Sequence, residues 1–192
     1  MGLRRQINPE RFSSVAVDLP VAAALVGLDV FMRVVPHAWH FTPVIASALF
    51  AAAVFRVGAL SLAVPLVALG ISDWLMGFYN WQVMIVVYAA SMLPAVLMLI
   101  VGRLRSPVIL VALAAGSSLV FFLATNFAVW AFDALYSQDL AGLAACYLAA
   151  LPFFKNTFAG DLFWTCALFG GYGLLRAGSA KARARRQNAL TA

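Results

Sequence analysis

The sequence predicts an all-α integral membrane protein with six transmembrane helices and a short interfacial helix before the last of them. Of its 192 residues, 65% are hydrophobic and 10% are charged, and the mean hydropathy is +0.96. Soluble domains are about 45–50% apolar and about 25% charged, so a soluble chain of this composition could not cover its core with polar surface. The apolar runs are long and do not alternate with a period of two, which favours helices over the strands of a membrane barrel.

Turn signals and charged residues divide the chain into six predicted spans. They cover residues 15–35, 42–55, 59–76, 81–101, 106–132 and 157–175. Pro36 ends the first span, and Pro107 suits the first turn of the fifth. We expect a cytoplasmic N-terminal segment at 1–14, a transmembrane domain at 15–176 and a basic cytoplasmic tail at 177–192. Each segment follows from where the charged residues stop and resume.

The segment at 140–151 is apolar but shorter than the roughly 20 residues that cross a hydrocarbon core. Pro152 and the polar pair Lys155 and Asn156 follow it directly. We therefore predict an interfacial or half-inserted helix there, distinct from the last span.

The positive-inside rule sets the orientation. With both termini in the cytoplasm, Arg33 and Lys155 are the outer basic residues, and the rest of the 13 lie inside. A seventh crossing would move the basic tail outside and destroy this separation. The sequence thus predicts a multi-pass protein of the bacterial inner membrane. Its basic tail favours contact with anionic lipid headgroups over nucleic acid.

In this topology, polar and aromatic residues from five separate segments share the outer level of the membrane. They form the predicted substrate-binding site, in which histidine, acidic and amide side chains bind a ligand and aromatic rings stack on it. The set is His37, His40, Asp73, Trp74, Tyr79, Asn80, Asn126, Trp130, Asn156, Asp161 and Trp164.

Several of these residues have structural alternatives. Tryptophan and tyrosine at an interface form the usual aromatic belt, and Asp161 near a helix start complements the helix dipole. Asp73 lies near a helix C-terminus and needs a partner, for which His37, His40 or Lys155 are candidates. It is therefore either a cavity residue or half of a structural ion pair.

Two further acidic residues lie in the first span. Asp29 and Arg33 are four residues apart on one helix face, which predicts a structural ion pair. Asp18 lies near the inner interface, where we expect it to be solvated.

Motifs for catalysis are missing from the sequence. It contains no HExxH, GxSxG or P-loop pattern, which predicts a protein that is not an enzyme and needs no cofactor. Two histidines without a third ligand nearby are a weak metal signal. Cys146 and Cys166 are expected to be packing residues, with a functional thiol at Cys146 as the alternative.

Several blocks carry a resemblance to a group of small bacterial inner-membrane proteins. These blocks are Arg33–His37, Phe41–Val44, Ser72–Trp74, Thr125–Phe127 with Trp130, Cys146–Tyr147, Pro152–Thr157 and Gly160–Phe163. More broadly, the chain resembles the substrate-binding S components of energy-coupling-factor (ECF) vitamin transporters. That resemblance implies a six-helix bundle that binds a vitamin or a metal near the outer face.

Within that class the outline is similar to the solitary BtuM-type cobalamin uptake proteins, which work without a dedicated energising module and hold cobalt through a cysteine. This chain departs from them, since no cysteine lies between its third and fourth spans. A cobalt-containing ligand would have to bind His37, His40 or Cys146.

We therefore predict a membrane protein for uptake of a vitamin or small cofactor, with an energising module as a possible partner. One alternative is a membrane subunit or scaffold, using small-residue faces such as Ala23 with Gly27 or Ala48 with Ala52. Another is a membrane enzyme acting on a corrinoid or lipid, which would need chemistry at Cys146 or the histidines.

Overall fold

The structure is a computed structural model, and it describes residues 9–35, 41–102 and 106–191. These residues form helices and no strand. The helices are α1 (Pro9–Val34), α2 (Val44–Val54), α3 (Gly58–Met76), α4 (Trp81–Val101), α5 (Pro107–Phe132) and α6 (Leu140–Thr191). The predicted all-α fold is confirmed.

Within the described residues, four helices are long and apolar enough to cross a membrane, namely α3, α4, α5 and the first part of α6. Their outward faces carry large apolar side chains such as Ile85, Ile100 and Val108, which are 59%, 75% and 76% exposed. Such a surface is stable against lipid but not against water. The chain is therefore a multi-pass membrane protein.

The short helix α2 forms the centre of the bundle. It has 11 residues, so it is about 17 Å long, roughly half of a hydrocarbon core. Every side chain from Val44 to Ala51 is buried, and α2 contacts all five other helices. Its alanines leave room for the neighbouring backbones to approach closely.

The last helix differs from the prediction. Leu140–Thr191 is one continuous helix, so the separate interfacial helix predicted at 140–151 is wrong. Contacts with α5 hold the chain on both sides of Pro152: the Tyr147 hydroxyl donates to the Leu123 carbonyl at 2.7 Å, and the Phe154 ring lies 4.6 Å from that of Phe122. These contacts offset the hydrogen bond that proline removes from a helix.

A glycine sets the contact between α6 and the start of α2. A Cβ atom on Gly160 would lie 3.1 Å from the Cα of Phe41. Any other residue would therefore push the two segments apart. This close approach brings the middle of α6 against the core helix.

The carboxylate of Asp18 organises the turn between α2 and α3. It accepts the backbone N–H groups of Arg56 at 2.7 Å and of Val57 at 3.2 Å, and Asp18 is 5% exposed. The expectation that Asp18 is solvated is wrong. The start of α3 leaves amide groups without helical partners, and α1 supplies the acceptor.

Candidate functional site

A cavity of about 390 Å³ lies between the end of α1, the turn before α4, and helices α4, α5 and α6. Its volume falls within the roughly 300–1,000 Å³ of small-molecule sites. The polar residues that line it are Arg33, Tyr79, Thr125, Asn126, Asp133 and Thr157. The helices that build it are the same ones that form the bundle, so the site is held by the fold rather than by long loops.

Two pairs of consecutive phenylalanines form the apolar wall of the cavity. Phe121 and Phe122 come from α5, and Phe153 and Phe154 come from α6. The rings of Phe122 and Phe154 are 4.6 Å apart and inclined at 37°. Aromatic surfaces of this kind offer large contact areas to the flat part of a ligand.

A buried ion pair stands at the α1 end of the cavity. Arg33 Nη2 lies 2.6 Å from Asp73 Oδ1, and Arg33 Nε donates to the Ser72 hydroxyl at 2.6 Å. The Tyr88 hydroxyl donates to the other carboxylate oxygen at 3.0 Å. Asp73 is 1% exposed, so it acts behind the cavity wall and holds the guanidinium in place.

This network corrects the prediction about Arg33. The predicted ion pair of Asp29 with Arg33 is wrong, because the guanidinium reaches across to α3 and Asp29 instead accepts from the Ser47 hydroxyl at 2.8 Å. Asp73 does have a partner, but that partner comes from α1 rather than from Lys155, which is exposed. The end of a transmembrane helix lies near several other helices. Residue spacing along one helix therefore does not show which of these helices a long side chain contacts.

Tyr79 lies in the turn between α3 and α4 and lines the cavity. Burial and the nearby charge of Asp73 raise the pKa of Tyr79 to about 12, while the positive charge of Arg33 opposes the shift. The phenol therefore stays protonated at physiological pH. It can donate a hydrogen bond to a ligand.

Three uncharged polar side chains of the cavity each donate one hydrogen bond to a carbonyl of their own helix. Thr125 donates to Phe121 at 2.7 Å, Asn126 to Phe122 at 2.8 Å and Thr157 to Phe153 at 3.1 Å. Their oxygen atoms keep lone pairs for a ligand. With the carboxylate of Asp133, this side of the cavity is rich in acceptors.

Three predicted site residues lie outside the cavity, and two of them, Asn80 and Trp130, hold the turns before α4 and after α5. Asn80 caps α4 by accepting the Gln82 N–H at 2.9 Å, and it donates to the Phe132 carbonyl at 2.8 Å. Trp130 Nε1 donates to the Ser137 carbonyl at 2.9 Å. Trp74 is 71% exposed and points away from the cavity lining.

The predicted residues of α6 also lie outside the cavity. Asp161 is well inside the helix rather than at its start, so the helix-dipole explanation is wrong, and its carboxylate accepts from the Ser118 hydroxyl. The Trp164 ring lies 6.5 Å from that of Phe41. Asn156 is half-buried and does not line the cavity. His37 and His40 lie outside the described residues.

Of the predicted set, Tyr79 and Asn126 line the cavity, and Asp73 holds Arg33 from behind. The sequence reasoning missed the phenylalanine pairs, Thr125, Asp133 and Thr157. The doubled phenylalanines on two neighbouring segments were the available signal. This signal is weak because aromatic residues are common in membrane helices.

Metal-ligand side chains do not cluster in the described part of the chain. Within residues 9–35, 41–102 and 106–191, no three histidine, cysteine or acidic side chains come together as a metal site. Cys146 is buried, and its thiol donates to the Asn126 carbonyl at 3.4 Å, while Cys166 is exposed. Both cysteines are free thiols.

A second concavity lies between α1 and α3. It measures about 670 Å³ and is lined by apolar side chains, among them Ala23, Gly27, Val30, Val67 and Ile71. Its lining carries no charged residue, in contrast to the first cavity.

The fold and the cavity define a helical membrane protein with a polar, aromatic-walled pocket of ligand size. The chain belongs to a family described as "Family of unknown function (DUF6580)", whose model matches residues 13–184. No curated protein and no solved structure matches the chain.

Proposed function

We propose that the protein binds a vitamin or small cofactor for uptake across the membrane, in the manner of an ECF S component. The cavity of about 390 Å³ is the observation that carries this proposal. It joins a charged end at Arg33 to an aromatic wall, the combination that small-molecule sites use for specificity and affinity.

The proposed topology has six crossings with both termini in the cytoplasm of a bacterial cell. In it the short helix α2 crosses together with the non-helical residues 41–43 and 55–57 that flank it. The continuity of Leu140–Thr191 supports it, because one unbroken helix crosses once and the segment at 140–151 does not turn back as a seventh span. With the basic residues inside, the cavity opens towards the outer side. Binding would occur there, followed by reorientation of the body in the bilayer.

The size of the cavity favours a ligand of one or two rings. A volume of about 390 Å³ lies near the lower end of the range for drug-sized ligands. A corrinoid is several times larger than such a ligand. The cobalt-containing ligand expected from the resemblance is therefore the less favoured substrate.

The charges of the cavity favour a ligand that donates hydrogen bonds. Asp73 neutralises Arg33, whereas Asp133 lines the cavity and forms no salt bridge with a cationic side chain of the described residues. A cationic or amine-bearing group placed near Asp133 and the Asn126 oxygen would complement this side, and a flat ring would pack against the phenylalanine wall.

Native mass spectrometry of the protein purified in mild detergent tests the proposal. We expect wild type to retain a small molecule and Thr125→Trp, which fills the cavity, to lose it. Gly170→Ala is the matched control, because a Cβ there meets no atom within 4 Å. Absence of any bound species from wild type, or equal retention by Thr125→Trp, would contradict a binding role for this cavity.

A scaffold role is the second candidate, and the apolar groove between α1 and α3 favours it. The exposed pair Ala23 and Gly27 lies in that groove and would allow close approach of another helix. In this case Gly27→Leu would remove a stably associated membrane protein from the purified complex while leaving the small-molecule content unchanged. Under the uptake proposal, with an energising module or as a solitary protein, Thr125→Trp loses the small molecule and Gly27→Leu loses no associated protein.

A further inference from the structure

Asp161 is, like Asp29, an acidic group buried in the transmembrane core that does not line the cavity. It is 3% exposed, and its carboxylate accepts the hydroxyl of Ser118 on α5. Its neighbour Gly160 packs against Phe41, so this part of α6 faces the interior of the bundle. Acidic residues at such positions are costly, and in membrane proteins they mark functional sites by default.

The surroundings of Asp161 hold no counter-charge. Helix α6 packs against α5 and α2. Neither the residues of α5 nor those of α2 include an acidic, basic, histidine, cysteine or tyrosine side chain. On α6 itself, the residues from Thr157 to Thr165 contain no other titratable group. The ion pair between Arg33 and Asp73 joins α1 to α3 and so does not involve α6.

Three buried polar atoms on the helices that carry Asp161 and Ser118 have no hydrogen-bond partner among the described residues. These atoms are Ser117 Oγ on α5 and both Trp164 Nε1 and Thr165 Oγ1 on α6. Trp164 and Thr165 lie three and four residues after Asp161, on its face of the helix. Polar atoms left unpaired in a packed interior usually contact water or an exchangeable group.

We propose that Asp161 is a membrane-embedded proton-binding site whose proton exchanges with bulk water during the working cycle. A proton adds to one carboxylate oxygen from water at one side of the membrane, and the O–H bond breaks again when the proton leaves. The neutral acid removes the cost of a lone buried charge, and its hydroxyl can donate to an unpaired oxygen such as Thr165 Oγ1, which lies one turn further along the same helix face. The proposal rests on the proposed uptake function, for which it would supply an energy source in the proton gradient.

Infrared difference spectroscopy of the full chain in lipid nanodiscs tests this proposal without any ligand. We expect wild type at neutral pH to show the carbonyl stretch of a protonated carboxyl group and Asp161→Asn to lose that band. Asp29→Asn, which removes another buried carboxyl, and Asp139→Asn, which removes an exposed one, should both leave the Asp161 band unchanged. Raising the pH should diminish the wild-type band reversibly.

Three results would overturn the proposal. The difference spectrum could show a carboxylate at neutral pH, or an acid band that does not change over the pH range in which the protein stays folded. A band displaced by sodium ions at constant pH would indicate a metal-cation site instead. If Asp161→Asn does not fold, Ser118→Ala keeps the acid and should raise its carbonyl frequency, because it removes the hydrogen bond. Failure of these tests leaves ligand retention by the cavity untouched.

Discussion

Arg33 and Asp73 connect the ends of α1 and α3 through a contact of 2.6 Å between Nη2 and Oδ1. The pair closes one end of the cavity, and Ser72 and Tyr88 complete its hydrogen bonds. A buried ion pair contributes little net stability when both partners are present. Removing one partner is strongly destabilising, because the other charge is left buried without a counter-charge. This contact thus links the geometry of the cavity to the stability of the bundle.

Removing one partner of this pair should destabilise the protein. We expect Asp73→Ala to lower the free energy of unfolding by roughly 3–5 kcal/mol, because Arg33 loses its counter-charge. The double variant Arg33→Met with Asp73→Leu should recover most of that loss. Thermal unfolding in mild detergent measures both. Arg56→Met, at an exposed position, is the control, and a loss in the double variant equal to that of Asp73→Ala would contradict the account.

The carboxylate of Asp18 should hold the turn between α2 and α3. Asp18→Ala leaves the N–H groups of Arg56 and Val57 without an acceptor, at a cost of about 1–3 kcal/mol, while Asp18→Asn keeps one acceptor oxygen and costs less. Hydrogen exchange at those two amides is the measurement. We expect faster exchange in Asp18→Ala, and unchanged rates would rule out the capping role.

Two glycines of α6 should respond to alanine with opposite signs. Gly160→Ala places a Cβ 3.1 Å from the Cα of Phe41, and we expect a loss of about 1–3 kcal/mol from overpacking. Gly170→Ala meets no atom within 4 Å and should stabilise the helix by roughly 0.5–1 kcal/mol. Unfolding midpoints of the two variants measure the difference. Equal effects would mean that the close contact of α6 with the start of α2 is absent.

The start of α6 should depend on pH through Asp139. Hydrogen bonds from the Gly142 amide and the Ser137 hydroxyl lower the pKa of this carboxyl. A lowered pKa contributes stability that is present above the ordinary pKa of aspartate and is lost as the pH falls through the lowered value. Acidification should therefore lower the hydrogen-exchange protection factors of Gly142 and Leu143, which are taken relative to the intrinsic exchange rate at each pH. In Asp139→Asn these protection factors should not follow that titration, and a wild-type-like response in this variant would exclude the carboxyl as its cause.

The long helices could be predicted because their signals are local. The predicted bounds of α3, α4 and α5 lie within one residue of those in the structure, since apolar length, Asn80 and Pro107 mark their ends. The break predicted after residue 151 was wrong for a different reason. Proline disfavours a helix locally, but contacts of Tyr147 and Phe154 with α5 hold the helix together, and the sequence does not display them.

The candidate site could be predicted in part. Charge counting predicted that Tyr79 and Asn126 share one level of the membrane, and the position of Asp73 near a helix C-terminus predicted that it needs a partner. Which residues face one another depends on helix rotation and packing. That is why Trp74 lies outside and the cavity is lined instead by Phe122 and its neighbours. A residue's depth in the membrane is visible in the sequence, whereas its direction around a helix of uniform apolarity is not.

Cysteine labelling in intact cells shows whether the cavity faces outward. In a background of Cys146→Ala and Cys166→Ala, Thr157→Cys places one thiol in the cavity lining, and Ser179→Cys places one on the exposed C-terminal part of α6. We expect a membrane-impermeant maleimide to label Thr157→Cys in intact cells and to label Ser179→Cys only after permeabilisation. Labelling of Thr157→Cys only after permeabilisation, with Ser179→Cys reactive from outside, would contradict an outward-facing cavity.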